Sequence, residues 1–194
     1  PKKISHEVGL HVHPNWDEFL KKNCNQSSNS TVLWDYPYNE QFEMIKAGKE
    51  LLIKEFGVVP KVFVAGRWCL NNNTIKALIK NGFTHDCSAT ASSKNDHLNW
   101  SELPRICMPY HPSEDNYQKK GGLSILEVPI SQFFPSGSVN VEMIPKYGLP
   151  WLKACFLEYY RQGAPLFHIC LHSPSITDGY FISAMNELLA FVVR

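Results

Sequence analysis

The sequence E-Q-F-E-M-I-K-A-G-K-E-L-L-I-K-E-F-G at residues 40–57, followed by K-V-F-V-A at 61–65, decides the fold class. Apolar residues such as Phe42 and Ile45 recur at helical spacing, which predicts a helix through the first stretch. Gly57 is typical of a helix end, because glycine readily adopts the left-handed conformation needed there. The short apolar run at 61–65 then predicts a strand, so the pair indicates a helix that feeds a sheet.

The same alternation extends in both directions along the chain. It predicts strands at 8–12, 83–87, 123–130 and 166–171, helices at 75–80, 145–162 and 178–193, and polar connections at 23–31 and 88–122. Strands that alternate with helices indicate a parallel sheet, either a barrel or a doubly wound sheet. In both architectures, functional sites lie beyond the carboxyl ends of the strands.

Length and composition set limits on the class of protein. The chain has 194 residues with 44% apolar residues and a net charge of +1, which predicts one globular domain over residues 1–194. There is no basic excess, so the composition gives no support for nucleic-acid binding. No apolar run approaches the roughly 20 residues that a membrane span needs. Nothing in the sequence indicates an oligomeric state.

The six cysteines are scattered and form no C-x-x-C pair. We therefore expect free thiols, with a disulfide framework as the alternative. Free thiols and the lack of a recognisable leader lead us to expect a cytoplasmic protein. The chain begins at Pro1 rather than at methionine, so a location outside the cytoplasm stays open as an alternative.

His11 and His13 form the strongest local signal. They lie two residues apart at the end of the first predicted strand, so they point to the same face. Two imidazoles placed in this way could bind a divalent metal such as zinc. The alternative is a pair of ordinary structural histidines.

Further polar residues follow other predicted strands. Arg67 could bind an oxyanion, Trp68 could form the floor of a sugar site, Asp86 could orient an imidazole, and His172 could act as a general acid or base. The alternatives are a surface arginine, a core tryptophan, a turn aspartate and a structural histidine. Because carboxyl ends of parallel strands share one rim, we expect His11 and these residues to form one site.

Several segments, in order along the chain, resemble the polysaccharide deacetylases, the NodB-homology group also called carbohydrate esterase family 4. The segments are HEVGLHVHP at 6–14, VFVAGRW at 62–68, NGFTHDCS at 81–88, PYHPS at 109–113, EVP at 127–129 and LH at 171–172. The ordered set spans nearly the whole chain, although no single motif is decisive.

The resemblance implies a fold, a cofactor and a reaction. The fold would be a distorted (β/α) barrel of about seven strands, and the cofactor a divalent metal, zinc by preference. The reaction would be removal of an N-acetyl group from a saccharide. Carried over residue by residue, the resemblance makes His11 and His13 metal ligands, His172 the acid, Asp86 its partner carboxylate and Arg67 the active-site arginine. We also expect Trp68, Tyr110 and Leu171 to contact the substrate.

The chain also departs from the family pattern. The family's second histidine usually stands four residues after the first, where this chain has Asn15. Val64 replaces an arginine, and Cys69 replaces a small residue. The Thr-Phe-Asp type motif that supplies the metal aspartate and the base is not found, so we expect the first strand to be missing from this chain. The remaining alternatives are a hydrolase of another non-peptide C–N bond, a non-catalytic carbohydrate-binding relative, and an interaction protein.

Overall fold

The computed structural model of the chain describes residues 7–134 and 137–193, so His6 of the first motif lies outside the described residues. The described chain divides into two compact units. The first contains the residues up to Ala89, then Ser93–Glu102 and Pro109–Val128, and the second contains Thr90–Ser92, Leu103–Met108 and the residues from Pro129 onward. Each unit is described below by itself.

A four-stranded parallel sheet forms the centre of the first unit, with strand order β1-β2-β3-β6. The strands are β1 (Leu10–Val12), β2 (Val62–Ala65), β3 (His85–Asp86) and β6 (Leu126–Glu127). The predicted mixed α/β class with a parallel sheet is confirmed. The strands are shorter than predicted, and a closed barrel of about seven strands stays a prediction.

Three helices accompany this sheet: α1 (Glu18–Asn23), α2 (Tyr38–Phe56) and α3 (Asn72–Lys80). Helix α2 confirms the prediction made from its apolar stripe, and Gly57 ends it in the left-handed conformation with φ 66°. Helix α3 begins at a capping box in which Asn71 and Thr74 each accept a hydrogen bond from the other's backbone N–H. Helix α1 was not predicted. Asp17 caps it by accepting hydrogen bonds from two backbone N–H groups.

The core of the first unit lies between the sheet and α2 and α3. Phe63 and Ala65 of β2 are fully buried, as are Met44 and Ile45 of α2 and Leu78 of α3. The long connection at 88–122 contains a small antiparallel hairpin of β4 (Lys94–Asn95) and β5 (Leu98–Asn99). Trp100, which follows this hairpin, is also buried.

The second unit is mainly helical. It contains α4 (Ile144–Tyr147), α5 (Leu149–Arg161), the short α6 (Ser173–Ile176), α7 (Gly179–Val192) and an antiparallel hairpin of β7 (Gln132–Phe133) and β8 (Gly137–Ser138). Its core is an apolar cluster of Val139, Val141, Ile144, Leu152, Cys155, Ala184 and Leu188. Helices α5 and α7 therefore pack on each other through one face each.

Two sequence predictions in the second unit need correction. The apolar segment 166–171 is not a regular strand. It makes one isolated bridge, between Cys170 and Asn140, and Leu166 and Leu171 are exposed. The segment lacks the continuous partner that would pair its backbone. The helix predicted at 145–162 is divided by Gly148, whose φ of 80° and ψ of 161° interrupt the helical backbone.

No disulfide joins the six cysteines, all of which lie among the described residues, in agreement with the predicted thiols. Among the described residues, none of the helices combines the length and the apolar character needed to cross a lipid bilayer.

Gly66 is the point of closest approach between the turn after β2 and the chain after β1. A Cβ atom added there would lie 2.4 Å from the Val12 carbonyl oxygen and 2.6 Å from His13 Nδ1. Both values are far below van der Waals contact, and the nearer atom belongs to the backbone. Only glycine fits this position without displacement of β1 or His13.

We therefore predict that Gly66→Ala lowers the free energy of unfolding by at least about 2 kcal/mol, because the added methyl group overpacks a site lined by backbone. Urea denaturation measures the change. Gly122→Ala is the matched control, since nothing lies within 4 Å of a Cβ at that position. Equal stability of the two variants would show that the turn moves freely away from β1.

Candidate functional site

Four side chains, one from β1 and three from the segments after β1 and β2, form a continuous series of contacts. The rings of His11 and His13 meet edge to face with centroids 4.7 Å apart, and His13 stacks on Trp16 at 4.7 Å. The guanidinium carbon of Arg67 lies 5.0 Å from the centroid of the Trp16 ring, which is a cation–π contact. We call His11, His13, Trp16 and Arg67 the histidine–tryptophan cluster. The structure thus brings together three of the predicted site residues, His11, His13 and Arg67.

The parallel register of the two strands causes this meeting. His11 of β1 pairs with Val64 of β2, and Val12 pairs with Ala65. Both strands run in the same direction, so the residues after them leave the sheet at the same edge. The expectation of a shared rim is met for these two strands.

The turn Gly66–Trp68 has a strained backbone. Arg67 and Trp68 have φ values of 56° and 55°, in the left-handed region that non-glycine residues rarely occupy. Trp68 is half-buried, and its carbonyl oxygen accepts a 2.8 Å hydrogen bond from Nε1 of the buried Trp100. Strain of this kind persists where surrounding contacts hold it, and it concentrates at functional sites.

His11 is exposed, and its ring is oriented by the sheet. Nδ1 lies 2.9 Å from the Val64 carbonyl oxygen, an acceptor, so this nitrogen carries the proton. The other nitrogen, Nε2, then has a free lone pair. A histidine whose second nitrogen is fixed in this way is typical of metal ligands and of proton-transfer groups.

His13 is less open than His11. Its Nδ1 is buried without a hydrogen-bond partner and lies against Gly66. Burial lowers the pKa of His13, and the nearby His11 and Arg67 lower it further. His13 is therefore neutral at neutral pH, and its buried Nδ1 does not face an open ligand position.

These two histidines do not complete a metal site. A catalytic zinc ion usually has three protein ligands and one open position. Within the described residues, no group of three or more His, Cys, Asp or Glu side chains is arranged to hold a metal. Asn15, at the position of the family's usual second histidine, donates instead to the Asn29 carbonyl oxygen at 2.8 Å.

Asp86 belongs to a buried pair of carboxyl groups. It lies opposite Glu127 on the neighbouring strand, and the two residues are 0% and 1% exposed. Asp86 Oδ2 and Glu127 Oε2 are buried and have no hydrogen-bond partner among the described residues. Burial raises the pKa of Glu127 well above its usual value, and the charge of Asp86 raises it further. Burial also raises the pKa of Asp86.

The remaining oxygens of this pair hold two loops. Ser88 Oγ donates to Asp86 Oδ1 at 2.6 Å and accepts the Ala65 N–H at 2.8 Å, directly before the strained turn. Glu127 Oε1 accepts the Ala89 N–H at 2.9 Å. Within the first unit, Asp86 thus supports the backbone under the histidine–tryptophan cluster, and its partners there are Ser88 and Glu127. The predicted bond from Asp86 to a catalytic imidazole stays a prediction.

Tyr110 was predicted to contact substrate. Its side chain is only 4% exposed, and its hydroxyl donates to the Tyr117 carbonyl oxygen at 2.8 Å. Its backbone forms an antiparallel bridge with Glu127. These contacts leave little of the side chain open to a ligand, so its clearest role is to support β6.

His172 and Leu171 belong to the second unit, and both are exposed. His172 precedes α6, and its Nδ1 lies 3.3 Å from Glu142 Oε1. The same oxygen accepts the His172 backbone N–H at 2.8 Å and the Ser175 hydroxyl at 2.6 Å. Burial alone would raise the pKa of Glu142, but these two hydrogen bonds and the His172 ring lower it. Glu142 is therefore an ionised carboxylate beside the predicted acid.

The sequence analysis missed Trp16, Glu127 and Glu142. Trp16 had a usable signal, since it is an aromatic residue just beyond His13 and Pro14. Glu127 also had one, because a single acidic residue inside an apolar strand must find a buried partner. Glu142 had none, because its partner His172 lies 30 residues further along the chain.

Comparison with known proteins identifies a fold relative. A crystal structure from Mycobacterium smegmatis, of a protein provisionally named a polysaccharide deacetylase, superposes with a TM-score of 0.55 at 21% identity and covers 80% of this chain. The match covers 51% of that protein, so this chain spans about half its length. At this identity the likeness shows the fold alone. No protein-family model and no curated protein sequence matches the chain.

We predict that the buried carboxyl pair makes stability depend on pH. The folded pKa of Glu127 is raised above its ordinary value of 4.5, so the folded chain holds a proton that the unfolded chain releases. Below about pH 4.5 both states are protonated and the full stability is present. Above it, the free energy of unfolding should fall by up to about 1.4 kcal/mol per pH unit until the folded pKa is passed.

Glu127→Gln removes this titration and keeps the shape of the side chain. The difference in unfolding free energy between wild type and variant should therefore shift in favour of the variant as pH rises. Urea denaturation from pH 4 to 8 measures it, with Glu114→Gln, an exposed carboxylate in the same unit, as control. A difference that does not change with pH would mean that Glu127 is ionised in the folded protein.

Proposed function

We propose that this chain takes part in hydrolysis of an N-acyl group on a saccharide, the reaction class of the polysaccharide deacetylases. One observation carries the proposal. Two segments that resemble deacetylase motifs, those containing His11 and Arg67, leave adjacent parallel strands together, and their side chains form one exposed cluster. The fold shared with the mycobacterial structure supports it, as an analogy of fold.

The exposed face of the histidine–tryptophan cluster is suited to a saccharide. Trp16 is 58% exposed and presents an aromatic surface, which can stack on the apolar face of a sugar ring. Arg67 is exposed and has no hydrogen bond or ion pair among the described residues, so its donors are available to a carbonyl oxygen or hydroxyl groups. The strained turn holds Arg67 in this position.

His172 is the proposed general acid. In amide hydrolysis, the carbonyl carbon gains an oxygen from water, the C–N bond breaks, and the nitrogen leaves as an amine after it receives a proton. Nδ1 of the exposed His172 ring is directed at Glu142, so the imidazolium form of the ring, protonated on both nitrogens, would deliver that proton from Nε2 and return to the neutral Nδ1-protonated form. Leu171 beside it is exposed and could contact the sugar.

Zinc remains the proposed cofactor on the basis of the resemblance. A zinc ion in such a hydrolase polarises the amide carbonyl and activates water. In this chain His11 has the open nitrogen and the fixed tautomer that a ligand needs, whereas His13 is enclosed. The described residues do not complete the ligand set, so the roles above are assigned to protein groups alone.

We predict that the protein releases acetate from N-acetylated oligosaccharides and that His172→Ala lowers kcat by about 10²–10⁴, the usual contribution of a general acid. Released acetate is measured by a coupled assay. His97→Ala, which removes an exposed loop histidine, is the control and should keep the rate. Saccharide binding without acetate release would instead favour the non-catalytic carbohydrate-binding alternative. A protein that neither releases acetate nor binds the saccharide would contradict both hypotheses.

A zinc titration tests the proposed ligand. We expect His11→Ala to weaken zinc binding at least about tenfold, because it removes the exposed imidazole of the cluster. His13→Ala should affect zinc less and stability more, since His13 is packed against Gly66. Calorimetric titration with zinc compares the affinities of the His11→Ala and His13→Ala variants, with His97→Ala as control. Equal zinc affinity of wild type and His11→Ala would remove the metal from the proposal.

The exposed aromatic surface is tested by ligand affinity. Trp16→Ala should weaken binding of an N-acetylated oligosaccharide about fivefold or more, because stacking on an exposed aromatic ring contributes roughly 1 kcal/mol. Tryptophan fluorescence or calorimetry measures the affinity. Phe56→Ala is the control, since Phe56 is a similarly exposed aromatic residue at the end of α2. Unchanged affinity for Trp16→Ala would place the sugar elsewhere.

A further inference from the structure

One carboxylate in the second unit makes more contacts with His172 than the anchoring of a short helix requires. Glu142 Oε1 accepts from the backbone N–H of His172 and from the hydroxyl of Ser175, at 2.8 and 2.6 Å. The same oxygen lies 3.3 Å from His172 Nδ1. The hydrogen bond from the backbone N–H positions the His172 main chain. The contact between Nδ1 and Oε1 affects the orientation of the ring.

We propose that Glu142 is the positioning residue of His172: it holds the Nδ1 proton and thereby directs Nε2 toward the ligand. This inference depends on the proposed function, in which His172 is the acid. It assigns to Glu142 the role that the sequence analysis gave to Asp86, whose partners in the first unit are Ser88 and Glu127. The 3.3 Å approach of Nδ1 to Oε1 is a close contact rather than an aligned hydrogen bond. This geometry is compatible with the role, because catalytic hydrogen bonds are often long or poorly aligned before substrate binds and tighten in the complex.

The surroundings of Glu142 favour a fixed, ionised carboxylate. Its side chain is 28% exposed, against 64% for His172, so the carboxylate is the more rigid partner and the imidazole the more accessible one. Ser175 is buried and its hydroxyl bond keeps Oε1 in place. The other titratable group that senses this charge is the Cys170 thiol, whose pKa is raised by burial and then by Glu142. A thiol does not compete with the carboxylate for the Nδ1 proton.

A simpler role for Glu142 is to anchor the start of α6 through the two hydrogen bonds. The two roles respond differently to substitution. Glu142→Gln keeps an oxygen that can accept from the His172 N–H and from Ser175, so the anchor survives, but the negative charge that attracts the Nδ1 proton is lost. Ser175→Ala removes one anchoring bond and leaves the carboxylate beside the ring.

The first measurement is the tautomer of neutral His172, obtained from the ring ¹⁵N chemical shifts. In wild type we expect the Nδ1-protonated form to predominate. Glu142→Gln should shift the population toward the Nε2-protonated form. Glu142→Asp, which keeps the charge, should retain part of the wild-type population of the Nδ1-protonated form. Ser175→Ala should change the tautomer population little. Glu158→Gln is the control, since Glu158 is a half-exposed carboxylate of the same unit in an ion pair with Arg105.

The second measurement is acetate release by the same variants. Glu142→Gln should lower kcat about tenfold or more with KM little changed, because a misdirected ring affects proton transfer rather than binding. An unchanged tautomer in Glu142→Gln would overturn the proposal, whether or not the protein is active. If wild type releases no acetate and yet the tautomer shifts as expected, the assignment of Glu142 is upheld and the proposed reaction is the part that fails.

Discussion

The close approach of Gly66 to β1 is the constraint on which the candidate site depends. Because Gly66 has no side chain, the turn after β2 can lie directly against the end of β1. A Cβ atom at this position would overlap the Val12 carbonyl oxygen and His13 Nδ1. That contact brings Arg67 over Trp16 and places both beside the two histidines. The parallel register sets the direction in which the segments leave β1 and β2, and Gly66 allows these two segments to come into contact.

The sheet below this contact contains two buried carboxyl groups. Asp86 and Glu127 are buried side by side, a costly arrangement unless a proton is shared and the other oxygens are bonded. Ser88 and Ala89 bond one oxygen of each carboxyl, and burial raises the pKa of Glu127, which favours its protonated form. The pair therefore links β3 and β6 to the loops that follow β2 and β3, and it gives a polar framework where the short strands provide few ladder bonds.

The sequence predicted the elements whose signals are local. The stripe and Gly57 of α2, and the rim residues His11 and Arg67, were found because spacing and strand ends are visible in the chain. The segment 166–171 was mistaken for a strand, since apolar character does not reveal whether a neighbouring strand pairs with it. The openness of His11 and the enclosure of His13 were also beyond prediction, because both depend on distant residues, Val64 and Gly66.

At the two left-handed residues of the turn, Arg67 and Trp68, backbone stability opposes the proposed ligand contacts. Glycine at position 67 or 68 would relieve a strain of about 1–2 kcal/mol per residue, but it would remove the guanidinium or the indole. Selection for thermal tolerance alone would therefore drift toward glycine here, whereas selection for ligand recognition would retain the larger residues. The amino acids found at these two positions among variants would consequently report which pressure had acted on them.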